Sequence, residues 1–309
     1  MAQETRNAYG EKLAQLIVEN PNIVVLDADL TKSTKTAEAK KACPERHLNA
    51  GIAEANMMGM AAGLAASGKT VFASSFAIFA AGRAFEIIRN SICYPHLNVK
   101  VCATHAGLSV GEDGASHQSI EDVAIMRALP NMRVYVPCDQ YEAKAVIEHV
   151  ANNDGPCYVR LGRGKVEDVY QEGHVFDFSK VDVLHQGSGK VVLFAMGLMV
   201  QEAVKAQKTL LEKGIDATVV NVSCLKPLDE KGIEKLLSSH SLAFTLEEHN
   251  VIGGLYSAVS EVKGYTSVTT PIVPIGVYDT FGESGKAADV LKKYGLTAEN
   301  VVNKVLEKI

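Results

Sequence analysis

The sequence contains no tryptophan, and aromatic residues make up only 6% of its 309 positions. No GxGxxG turn follows a strand, and the one GxxxxGK[ST] string, GLAASGKT (63–70), closes a helical pattern and precedes a strand, the reverse of the order a phosphate loop needs, so neither of these backbone cradles for a nucleotide is expected. Any cofactor must be held in another way, or with the help of a second chain. Charge of one sign is not concentrated either. The 31 Lys+Arg against 36 Asp+Glu leave a net −5 with no basic run, which argues against a duplex-binding surface. The six cysteines (Cys43, Cys93, Cys102, Cys138, Cys157, Cys224) form no CxxC pair. That excludes a compact zinc or redox motif and reads as buried thiols in a reducing cytosol. The opening MAQETRNAYGEK lacks an apolar h-region, so secretion is not expected. Long hydrophobic runs are missing as well. Lys69 is the one charge between Glu54 and Arg83, yet Ser67-Gly68-Lys69 divides that stretch into apolar pieces of about 12 or 13 residues, short of the roughly 18 to 20 a bilayer requires. A soluble, cytoplasmic protein is expected.

What is present is alternation. Short β-branched runs at 22–27, 71–74, 99–103, 133–137 and 157–161 are separated by helical patterns at 4–19, 52–66, 77–92, 119–128 and 139–152. After a stretch without period at 164–189, strands at 190–195, 216–222, 242–246 and 272–277 alternate with helices at 199–213, 228–238, 253–262 and two short ones after 286. This is the pattern of parallel α/β units, and the length suits domains of roughly 100–200 residues. The expectation is two α/β domains, 1–180 and 181–309, each a mostly parallel sheet flanked by helices. No short-period repeat or low-complexity segment is seen.

Several residues could carry chemistry. Glu54 opens the helix in LNAGIAEANMMGMAAGLAASG with no cation close in sequence. Desolvation there would make it a proton donor, whereas a first-turn Glu favoured by the helix dipole is the plainer account, and spacing alone leaves both open. The run THAGLSVGEDGASHQSIEDVA (104–124) holds His105, Glu112, Asp113 and His117 among Gly107, Gly111 and Gly114. A glycine-bearing loop after a strand is where open α/β sheets bind ligands, although a solvated polar loop is the alternative. Phe76, Phe79 and Phe85 are spaced as core residues, with stacking on a flat heteroaromatic ring as the lesser reading. Arg160 and Arg163 end a strand, where either could clamp an anion, a surface position being the default. EEHN (247–250) with Gly253-Gly254 reads as a surface turn rather than as the lining of a helix N-terminus at an interface.

ADLTKS (28–33), GIAEANMMGMAAGLA (51–65), THAGLSVGEDGASHQSIEDVAIMRALPNMRVYVPCD (104–139) and FGESG (281–285) together resemble the C-terminal half of transketolase, over essentially the whole chain. The resemblance implies a thiamine diphosphate-binding pyrimidine domain followed by a C-terminal domain. It assigns the catalytic glutamate to Glu54, which would contact the pyrimidine ring, and packing on that ring to Phe76 and Phe79. Gly82 stands where the family has a third aromatic. Asp29 corresponds to an acidic residue near the thiazolium, and His117 and Asp113 to residues that recognise the donor sugar. Arg6, Ser33, His105 and Arg163 match the set that holds the sugar phosphate. The family's Gly-Asp-Gly motif for Mg2+ and diphosphate is not in this sequence, which implies one subunit of a split transketolase, with Mg2+ ligands on an N-terminal partner chain and an α2β2 assembly. The activity implied is transfer of a two-carbon ketol unit from a ketose phosphate to an aldose phosphate, in the pentose phosphate pathway.

Three other readings compete. The β subunit of a 2-oxo acid dehydrogenase has the same two domains but needs no sugar-phosphate clamp. A deoxyxylulose-phosphate synthase usually keeps three domains on one chain. A non-catalytic paralogue with this fold has no need of Glu54, Asp113, His117 and Arg163 together.

Overall fold

The computed structural model describes residues 2–309; Met1, where the first expected domain begins, lies outside them. Among the described residues the chain builds two large sheets and one two-stranded ribbon. The first has seven strands in the order Cys224–Lys226, Arg133–Tyr135, Cys157–Arg160, Val99–Thr104, Thr70–Phe76, Ile23–Asp27, His47–Asn49. All neighbours are parallel except the first pair, which is antiparallel. The second has five strands, Ile272–Val277, Leu242–Asn250, Val191–Ala195, Thr218–Asn221 and Asp182–His185, parallel but for the last. The architecture is therefore two mostly parallel α/β units.

The composition of the central strands explains this arrangement. Ile23–Asp27, Thr70–Phe76 and Val99–Thr104 are buried at every position, as a sheet covered on both faces demands. On one face of the first sheet, Tyr9, Leu13 and Ile17 of helix Thr5–Glu19 pack with Val146 and Ile147 of helix Gln140–Ala151. The other face belongs to a core shared between the halves. Met57, Met58 and Met126 join Val192, Phe194, Val220 and Val259 in one continuous apolar cluster. The two units are thus packed like a single interior rather than hinged. Side chains of Asp139, Asp229 and Thr297 cap three helices, accepting from Glu142 N, Gly232 N and Asn300 N.

Several expectations change. The pattern at 77–92 is not one α-helix: π-helical turns at Ile78–Arg83 and Ile88–Cys93 flank a short α turn at Phe85–Ile87. Such widened turns accommodate an extra residue, and Gly82 lies within the first. Within the aperiodic stretch, Lys165–Val166 pairs with Gln3–Glu4. EEHN is not a surface turn. It ends the buried strand Leu242–Asn250, and Glu247 accepts from the N–H groups of Leu255 (2.7 Å) and Tyr256 (2.8 Å), opening the next helix. Arg160 is no surface residue: it is buried and ion-paired with Asp122 at 2.9 Å. All six cysteines are buried and free.

Candidate functional site

Because neighbouring strands run parallel and in register, the segments that follow Asp27, Phe76 and Thr104 emerge at one edge of the sheet. Phe76 ends its strand and Phe79 follows in the first π-helical turn; their rings are stacked 6.1 Å apart at 18°. Phe76 also stacks on His105 at 3.8 Å. His117 stands edge-on to Phe79 at 5.3 Å and to Phe76 at 6.2 Å. Two phenyl and two imidazole rings from three different segments thus form one surface.

Glu54 opens helix Glu54–Ala66, and its side chain is 2% exposed. Sequence neighbours offer no cation, but the fold does: Arg83 Nη1 donates to Glu54 Oε2 at 2.7 Å. Ser75 Oγ donates to the other carboxylate oxygen at 3.5 Å. The Arg83 guanidinium also lies 4.8 Å from the Phe79 ring centroid. Gly82, beside it, is open; a Cβ there would meet only Ile78 Cδ1, at 3.8 Å.

His105 is buried, with both ring nitrogens engaged. Arg6 Nη1 lies 3.1 Å from its Nε2 and Thr104 Oγ1 lies 2.9 Å from its Nδ1. An arginine can only donate, so Nε2 accepts and the ring proton sits on Nδ1. Burial first, then the charges of Arg6, Arg163, His117 and Lys35, push the His105 pKa down to about 3, and the ring is neutral. Arg6 is itself held by Glu4 at 2.8 Å and donates to the Ser33 carbonyl at 3.0 Å. Arg163 approaches Asp113 at 3.6 Å and donates to the Val110 carbonyl.

Asp29 and His105 both have positive φ, 62° and 58°. A non-glycine residue held so costs of order 1–3 kcal/mol, and such strain gathers at functional sites. Asp29 is fixed by Asn49, whose Oδ1 accepts from Asp29 N and whose Nδ2 donates to Asp29 Oδ1, both at 3.1 Å.

The fold therefore unites Phe76, Phe79, His105 and His117, attaches Arg6 through His105 and Ser33 through Arg6, pairs Asp113 with Arg163, and joins Glu54 to Phe79 through Arg83. Asp29 sits apart at the next strand end. Glu112 is exposed. Sequence reasoning missed Arg83 and Glu248, which are brought in by tertiary packing, and Thr104, the chain neighbour of His105. Among the described residues, no group of three or more His, Cys, Asp or Glu is clustered to hold a metal ion. No helix among the described residues is long and apolar enough to cross a membrane.

Comparison with known proteins gives a consistent result. The model of the transketolase pyrimidine-binding domain matches residues 1–168, and that of the transketolase C-terminal domain matches residues 179–301. A candidate transketolase C-terminal section from Methanocaldococcus jannaschii is 49% identical over 98% of this chain and 96% of its own length. A 6-deoxy-6-sulfo-D-fructose transketolase subunit from Clostridium sp. is 38% identical over 96% of this chain and 92% of its own. Among solved structures, a split-gene transketolase described as an inactive β4 tetramer superposes with a TM-score of 0.90 at 50% identity, covering 99% of this chain and 98% of that one. Transketolase from Campylobacter jejuni gives 0.85 at 25% identity, with this chain spanning 47% of it. With both family domains in order along nearly its whole length, this chain belongs to the transketolase family and corresponds to that family's C-terminal half.

Proposed function

We propose that the chain is the C-terminal subunit of a thiamine diphosphate-dependent transketolase, a transferase that moves a two-carbon ketol unit from a ketose phosphate to an aldose phosphate. It would act in the cytoplasm, in the pentose phosphate pathway. In this reading an N-terminal partner chain supplies the Mg2+ ligands and the diphosphate site, in an α2β2 assembly. The same reading divides the chain at residue 180, with a pyrimidine-binding domain before it and a C-terminal domain after.

The observation that carries this reading is the convergence of a buried carboxylate, a phenyl stack and a basic, imidazole-bearing rim at one sheet edge. These residues fit the pyrimidine half of the cofactor. Glu54 is a buried carboxyl group suited to bonding a ring nitrogen, and Phe76 and Phe79 offer flat apolar faces beside the open position at Gly82. When bound, thiamine diphosphate supplies the carbanion-stabilising chemistry. This chain's residues orient and manage protons. Glu54 holds the ring-nitrogen proton, Asp29 borders the thiazolium side, and His117 and Asp113 meet the donor sugar's hydroxyls. Arg6, Ser33, His105 and Arg163 receive its phosphate. Since Nε2 accepts from Arg6 and the ring proton sits on Nδ1, Arg6 must turn from the imidazole and the proton must move to Nε2 for His105 to donate to that phosphate.

The names of the relatives support an anionic sugar, one being a sulfofructose transketolase subunit and another an apulose-4-phosphate transketolase subunit from Actinobacillus succinogenes. The description of the split-gene neighbour as inactive supports the need for a partner. The test is to combine this chain with a Gly-Asp-Gly-bearing partner, thiamine diphosphate and Mg2+, and offer xylulose 5-phosphate with ribose 5-phosphate. Conversion is expected from the pair and not from either chain alone. Turnover of pyruvate with lipoamide instead, or none with any of these, would overturn the reading.

A further inference from the structure

The loop that carries His105, Asp113 and His117 leaves the first sheet, yet it is held mainly by the second half of the chain. The Glu248 carboxylate accepts from the backbone N–H of Ser109. Gly107, at φ 82°, lies so close that a Cβ on it would overlap that carboxylate. Arg160 Nη2 donates to the Glu248 carbonyl at 3.0 Å and to the Ser119 carbonyl at 3.2 Å. Further along, Gln118 Nε2 donates to the Glu283 carbonyl at 2.9 Å and Asn250 N to the Ile120 carbonyl at 2.7 Å. The next link reaches the site. Val110, adjacent to Ser109, offers its carbonyl to Arg163, which in turn approaches Asp113.

We propose that Glu248 is a positioning residue for the sugar-phosphate site: by holding Ser109 it fixes the Val110 carbonyl, and so the places of Arg163 and Asp113. This rests on the reading of that loop as substrate-binding. Glu248 itself is 4% exposed, and its carboxylate is engaged by the loop backbone at Ser109. An oxygen acceptor is required because a buried N–H must be matched, and in the native chain the adjacent Arg160 guanidinium offsets the burial of the carboxylate's charge. The close approach to Gly107 means that neither partner can shift without moving the loop backbone.

The test compares Glu248→Met, of similar volume but with no oxygen acceptor, with Glu248→Gln, which retains one. Should the Met variant not fold, Glu248→Asp, one methylene short of Ser109, is read in its place. In the full chain, amide exchange over residues 107–111 is expected to speed up about tenfold or more in the Met variant, and to stay within about threefold of wild type in the Gln variant, as suits loss or retention of one buried hydrogen bond. Exchange in strand Thr70–Phe76 should not change. In the complex with partner, the ketose phosphate KM should rise about tenfold with kcat within about threefold, and the Gln variant should restore it. Unchanged loop exchange, or exchange accelerated equally in every segment, would overturn the proposal. Failure of the wild-type complex to turn over a sugar phosphate would overturn the proposed function alone, leaving the exchange result to decide the role of Glu248.

Discussion

Arg83 donates to the Glu54 carboxylate at 2.7 Å while lying over the Phe79 ring, so one guanidinium spans the acid and the aromatic face of the candidate pyrimidine site. Arg83 is half-exposed and Glu54 is buried, which makes the arginine the movable member of the pair.

Replacing Arg83 with Met should leave the Glu54 carboxylate buried without its cation. A cost of ~1–2 kcal/mol is expected, below that of a fully buried pair because water reaches the guanidinium. Thermal melting of the cofactor-free chain should therefore fall, and saturating thiamine diphosphate with the partner present should narrow the gap. An unchanged melting temperature in the cofactor-free chain would show that the pair contributes nothing.

Glu54→Gln keeps the shape of the side chain and one of its two acceptor oxygens but cannot hold a transferable proton. Turnover with the partner should drop by roughly 10²–10⁴-fold, the range for loss of a general acid–base group, with an unaltered circular dichroism spectrum. Near-wild-type turnover would remove Glu54 from the chemistry.

His105 should remain neutral, with its proton on Nδ1, from pH 8 down to pH 5. Its pKa, pushed down to about 3, lies well below that window. Nitrogen-15 chemical shifts of the imidazole check this directly, and a midpoint near 6.5 would contradict it.

Stability should fall on the alkaline side because of Glu247. Burial lifts its pKa from 4.5 to about 8, so the folded state holds a proton that the unfolded state has released. That contribution is complete below about pH 4.5 and is lost as pH rises through 8. Glu142, raised to about 7, acts in the same direction, whereas His249, lowered to about 4, withdraws stability as pH falls below 6.5. Melting temperatures measured from pH 6 to 9 should decline in the wild type and flatten in Glu247→Gln, whose amide oxygen accepts from one of the two N–H groups of Leu255 and Tyr256. Parallel declines in the two proteins would assign the effect elsewhere.

The central strands and long helices were legible in the sequence because each is a continuous β-branched run or a 3.6-residue pattern of sufficient length. Cys224–Lys226 and His47–Asn49 are three residues each, too short for any period to register. The π-helical turns around Gly82 read as ordinary helix because the apolar spacing differs little. For the candidate site, a motif-dense loop drew attention to His105, Asp113 and His117. Arg83 and Glu248 act on groups 29 and 139 positions away, and no local pattern encodes such a pairing. EEHN was misjudged for a related reason. Its charges suggest water, whereas Arg160 and the N-terminus of helix Leu255–Tyr265 receive them inside the protein.

Strand Cys224–Lys226 belongs by sequence to the second half but completes the first sheet, covering the edge of Arg133–Tyr135. Recombination between relatives at the midpoint of the chain would thus transplant a seam as well as a domain. A foreign second half must bring a strand that zips onto Arg133–Tyr135, or the bare edge becomes a template for pairing between copies. Compatibility at that strand therefore limits which second halves of this chain's relatives can be exchanged into it.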